Sequence, residues 1–87
     1  MKRAELKKIL EENTAEYRRY YRRYGDVYLF LRIWEDYEQC LEKNRRARIH
    51  PIKERARGEV LDSWSIGANT FYHIHQLLRV LCEDVDK

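Results

Sequence analysis

Two stretches of this chain are crowded with arginine and lysine, and phosphate binding is the most specific chemistry they offer. Arg18, Arg19, Arg22 and Arg23 alternate with tyrosines in the run YRRYYRRY. Lys43, Arg45, Arg46, Arg48, Lys53, Arg55 and Arg57 fill the segment from 43 to 57, where only Glu54 opposes them. A guanidinium grips a phosphate through two parallel N–H bonds. A row of cations laid on a polyanion also gains affinity by releasing condensed counterions, without reading any base. These side chains are therefore candidate contacts to a nucleic-acid backbone, DNA or RNA. The competing reading is that arginine-rich outer faces keep small helical proteins soluble.

The spacing separates the two residue types. At about 100° per residue, Tyr17, Tyr20, Tyr21 and Tyr24 fall within an arc of roughly 100°, and the four arginines take the opposite arc. The tyrosine side is suited to core packing with hydroxyls at the edge. It is equally suited to a protein interface, where tyrosine, tryptophan and arginine are enriched. Tyr17, Tyr20, Tyr24, Tyr28 and Trp34 are the candidate interface residues. Two functions of different class follow. One is a non-enzymatic regulatory protein on nucleic acid. The other is a protein–protein interaction module, or a small inhibitor or adaptor of a larger, nucleic-acid-processing protein.

Other chemistry is poorly supported. His73 and His75 stand two apart, which on a helix points them roughly 160° away from each other, whereas chelation needs a spacing of four. His50 stands alone before Pro51. The chain has no glycine-rich phosphate loop, no nucleophile elbow and no Cys-x-x-Cys pair. No enzyme, metal site or cofactor is expected. Cys40 and Cys82 are too few for a disulfide framework, and both fall on predicted apolar faces, which suits buried thiols in a reducing compartment.

The elements that must position these residues are helical. The chain has 87 residues, which is one domain, 1–87. One proline and three glycines are too few for a many-stranded fold, and 38% charged residues suit amphipathic helices. The expected fold is all-α: three or four helices around a central apolar helix over about 26–46. A chain this short buries only about 60% of its unfolded surface, so a helical homo-oligomer is expected. Acidic residues gather at Glu35, Asp36, Glu38 and Glu42 and again after Glu83, so the net charge of +3 is unevenly spread. The longest apolar run, Val27 to Leu31, is too short to span a bilayer, and the charged start after Met1 is unlike a secretory leader. A cytoplasmic protein without membrane contact is expected.

Periodicity predicts a first helix from Lys2 to Tyr24, with Leu6, Leu10, Asn13, Tyr17, Tyr20 and Tyr24 in one heptad seam. Gly25 and Asp26 read as a helix stop and the next N-cap, although one long kinked helix satisfies the same heptad count. The second helix presents an apolar arc of about 200°, more than one neighbour covers, so it is the centre of the fold. A third helix is expected from Pro51 to Trp64, weakened at Gly58, and a fourth from Thr70 to Cys82 behind an Asn69 cap. Residues 84–87 are expected to fray. The stretch Gly67-Ala68-Asn69-Thr70-Phe71-Tyr72 resembles the turn before the recognition helix of tetracycline-repressor-like regulators. It lacks their two-residue spacer between cap and threonine. Such a helix would present only Tyr72, His73, Gln76 and Arg79, and the likeness assigns no family.

Overall fold

The structure, a computed structural model, describes residues 1–85 and is all-helical. Its helices are α1 (Arg3–Glu12), α2 (Thr14–Tyr24), α3 (Val27–Ala47), α4 (Ile52–Trp64) and α5 (Ala68–Leu81). The count exceeds the expected three or four because the first predicted helix is two. Asn13 takes an extended conformation, φ −128° and ψ 101°. Its backbone N–H closes α1 on the Ile9 carbonyl at 2.9 Å. Its side-chain oxygen accepts from the Glu16 N–H at 3.1 Å and so caps α2. Asn13 is thus a corner and not a seam residue. A one-residue corner leaves the spacing of apolar positions nearly intact, so the heptad pattern runs straight through it.

The second joint is the break read from Gly25 and Asp26. Gly25 has φ 91° and ψ −161°, a region essentially reserved for glycine. One carboxylate oxygen of Asp26 accepts the Leu29 N–H at 3.1 Å and the Tyr17 hydroxyl at 3.2 Å. That single side chain starts α3 and holds α2 beside it. Burial at Tyr17 raises its phenol pKa above the ordinary value, and the Asp26 charge raises it further.

At 21 residues α3 is the longest helix, about 31 Å. Val27, Leu31, Ile33 and Trp34 are buried, and Tyr28, Leu29, Phe30, Tyr37 and Cys40 pack beside them. α4 returns antiparallel along its C-terminal half in the most extensive helix pairing of the fold. The Trp64 indole N–H donates to Asp36 at 2.8 Å, and the Arg32 guanidinium lies 5.5 Å over the Trp64 ring. Buried Asn44 donates to the Cys40 carbonyl at 2.9 Å, so its polarity is satisfied inside the interface. On another side α1 contributes Leu6 and Leu10, framed by the ion pairs Arg3–Glu38 and Lys7–Glu35. α5 closes the core with Phe71, Ile74 and Leu78. The wide apolar arc of α3 is therefore covered within one chain, and burial of α3 does not by itself call for a second subunit.

One boundary differs from expectation: α5 starts on a Gly67 cap, and Asn69 lies exposed in its first turn, so Asn69 caps nothing. α4 runs through Gly58 from Ile52 to Trp64, close to the span expected of the third helix. Of the tail expected to fray, 84–87, the first two residues are described. Asp84 accepts the Arg3 backbone N–H at 2.9 Å, Val85 is buried, and Glu83 donates to the Met1 carbonyl at 3.0 Å. Residues 86 and 87 lie outside the described residues.

Candidate nucleic-acid interface

The α2 ladder is built from its tyrosine side. Tyr17, Tyr20 and Tyr24 are half-buried against the core, which fixes the helix and turns Arg18, Arg19, Arg22 and Arg23 outward to solvent. Tyr21 is the exception among the tyrosines, 53% exposed at the border of the two faces. The guanidinium groups of Arg19 and Arg23 lie 5.4 Å over the rings of Tyr20 and Tyr24, which orders both without neutralising them. Arg19 also pairs with Glu16 at 2.7 Å. Among the described residues, Arg18, Arg22 and Arg23 form no ion pair.

The 43–57 segment is in a different state. Lys43 pairs with Glu59 at 3.3 Å, and Arg45 and Arg46 share Glu42 at 3.0 and 2.9 Å. Glu59 is held below the ordinary carboxylate value by hydrogen bonds from the Cys40 thiol and from Lys43. Burial raises the Cys40 thiol, and its bond to Glu59 adds to that. Arg48 ends α3 in the left-handed region, φ 56°, where its backbone N–H reaches the Arg45 carbonyl. Arg55 donates to the His50 carbonyl at 3.3 Å. Lys53 and Arg57 are exposed, one turn apart on α4, and form no ion pair among the described residues.

Arg22 and Arg23 adjoin the N-terminus of α3 and Arg45 to Arg48 its C-terminus, roughly 27 Å apart along the helix at 1.5 Å per residue. Lys53 and Arg57 lie on α4, which returns along α3, and share a cleft with Tyr37 near the middle of α3.

A third feature was not singled out from the sequence. A cleft of about 220 Å³ lies between α3, α4 and α5, lined by Tyr37, Lys53, Glu54, Arg57, Phe71, Tyr72 and His75, with Ala68 at one edge. Its wall is an aromatic stack. His75 lies 4.7 Å from Trp34 at 17°, Phe71 lies 5.9 Å from Trp34 at 22°, and Tyr37 meets Phe71 edge-on at 5.0 Å. Trp34, read as an interface residue, is 3% exposed and belongs to the core behind this wall. Tyr17, Tyr20, Tyr24 and Tyr28 are half-buried on the core, whereas the exposed tyrosines are Tyr21 and Tyr72. The sequence signal was present: Phe71, Tyr72 and His75 within two turns, and Lys53 four residues before Arg57. Their meeting depends on how α4 and α5 are placed.

Among the described residues, no group of three metal-ligating side chains is close enough to hold an ion. Nor is any helix of the described residues long and apolar enough to cross a membrane. Comparison with protein-family models, curated proteins and solved structures finds no match.

Proposed function

We propose that the protein is a non-enzymatic regulatory protein that contacts a nucleic-acid backbone through exposed basic side chains. The observation that carries this reading is the exposure of Arg18, Arg22, Arg23, Arg48, Lys53, Arg55 and Arg57 without a carboxylate partner among the described residues. A cation already paired must give up its partner to meet a phosphate, so the unpaired groups dominate counterion release. Arg19, Lys43, Arg45 and Arg46 contribute less, because Glu16, Glu59 and Glu42 hold them. Compartment enters as part of the proposal: the free cysteines Cys40 and Cys82 suit a reducing cytoplasm.

A second reading is a protein-binding module, self-association included. It is favoured by apolar groups left outside, Tyr21, Tyr72 and Val80, at 53%, 60% and 79% exposure. Salt separates the two. Size-exclusion chromatography with light scattering, on the protein alone and with short DNA, is to be run at about 50 and 200 mM salt. The expected result is a complex at low salt that dissolves at high salt. Absence of a complex at low salt would remove the nucleic-acid reading, and a salt-resistant oligomer would then favour the second.

A further inference from the structure

We infer that the cleft between α3, α4 and α5 receives one unit of a single-stranded nucleic acid. Its phosphate would lie on Lys53, Arg57 and the start of α5, with its base on Tyr72. This rests on the nucleic-acid reading above and adds which form of the polymer is preferred and where.

Three observations converge on this place. First, Lys53 and Arg57 stand one turn apart on the rim, exposed and without a carboxylate partner among the described residues, so both are available to a phosphate. Second, α5 begins at the same cleft behind a glycine cap. The cap residue offers no side chain to the N–H groups of the first turn, and Ala68 lines the edge. The positive end of a 14-residue helix without a capping side chain favours an anion there. Third, Tyr72 lines the cleft yet is 60% exposed, touching only His73 edge-on at 6.1 Å among the described rings. An aromatic face held beside two cations offers a base a stacking partner.

Size and form narrow the occupant. At about 220 Å³ the cleft is smaller than the ~300–1,000 Å³ typical of sites for drug-sized ligands, which suits one ring system with its phosphate. Bases inside a duplex have both faces stacked on neighbours, so only an unstacked base can use Tyr72. Glu54 lines the same cleft and opposes an anion. It is one exposed carboxylate against two cations and a helix terminus. His75, stacked on Trp34, and Tyr37 form the wall.

The test is fluorescence anisotropy at low salt with a labelled short oligothymidylate, single-stranded or annealed to its oligoadenylate complement. The proteins are the wild type, Tyr72→Phe, Tyr72→Ala, the pair Lys53→Glu with Arg57→Glu, and the pair Arg22→Glu with Arg23→Glu. Tyr72→Ala is expected to weaken single-strand binding by roughly ten-fold, within the range of one lost base stack, while duplex binding stays within two-fold and Tyr72→Phe restores the single-strand value. The Lys53/Arg57 pair is expected to weaken the single strand more than the Arg22/Arg23 pair does. Equal binding of both forms, unmoved by Tyr72→Ala, would overturn the cleft and leave backbone contact standing. Failure of both forms to bind would overturn both readings. Unchanged thermal melts of the Tyr72 variants, as expected of an exposed residue, assign any loss to the site.

Discussion

The α2 ladder and the 43–57 segment carry similar densities of basic side chains, yet their neighbours treat them differently. Among the described residues only Arg19 of α2 meets a carboxylate, and the aromatic rings beside Arg19 and Arg23 do not remove their charge. In the second segment Glu42 takes Arg45 and Arg46 from one turn away on the same helix, and Glu59 takes Lys43 across the α3–α4 interface. A count of arginines therefore measures charge, not availability. The availability of each guanidinium is decided by what lies three or four residues away and by what the facing helix presents.

The strongest way to break this comparison is to reverse the unpaired groups. Replacing Arg18, Arg22 and Arg23 together by glutamate is expected to weaken single-strand DNA binding on the order of a hundred-fold at low salt, measured by anisotropy. Alanine at Arg45 and Arg46 is expected to cost about two-fold, against about ten-fold for alanine at Arg22 and Arg23, because exposed ion pairs already screen the former. Equal losses at the two sites would show that pairing does not decide availability.

The joints that set the two regions apart come next. Gly25→Ala is expected to destabilise the fold by about 1–3 kcal/mol in chemical denaturation. The added Cβ would meet Phe30 at an ordinary 3.5 Å, so the cost is in the backbone at φ 91°, not in crowding. Asp26→Ala removes both a helix cap and the Tyr17 bond and is expected to cost about 1–2 kcal/mol. Asn13→Ala, which removes a cap alone, is expected to cost about 1 kcal/mol.

Two smaller effects sharpen the comparison. Glu42→Gln releases Arg45 and Arg46 and is expected to raise low-salt DNA affinity about two- to three-fold, the opposite sign to every arginine change. Acid should act on the second region through Glu59. Its carboxyl is held below the ordinary value near 4.5, so the stability it contributes is present above that value and is lost as pH falls through the depressed one. A midpoint-against-pH curve is expected to decline below about pH 4.5 and to flatten in Glu59→Gln. Asp84 behaves alike: the Arg3 backbone N–H and guanidinium outweigh its burial and hold it low.

Much of the architecture was legible in the chain. Helical class, the central position of α3, the stop at Gly25 and the start near Pro51 follow from periodicity and from the backbone preferences of single residues. Asn13 was legible in type, since asparagine is a strong cap, but a heptad seam that runs across a corner looks the same as one that does not. Asn69 misled for the opposite reason: a good capping residue stands two positions past a glycine that serves as the cap. The candidate site was legible as two lists of cations. Which of them are free was less so, because Glu59 reaches Lys43 only when α4 packs back on α3.

By itself, then, the sequence determined that this protein is helical, where most of its helices begin and end, and that eleven of its eighteen lysines and arginines fall in two segments. These are consequences of local backbone preference and of the helical repeat, both of which act over a few residues. Tertiary structure alone decided the rest. It put Arg22 and Arg23 at one end of α3 and Arg45 to Arg48 at the other, it buried Trp34, and it covered the wide apolar arc of α3 with α1, α4 and α5 from the same chain. It also brought Lys53 and Arg57 of α4 to Phe71, Tyr72 and His75 of α5. Those contacts join residues far apart in the chain, and the angle at which one helix packs on another sets them.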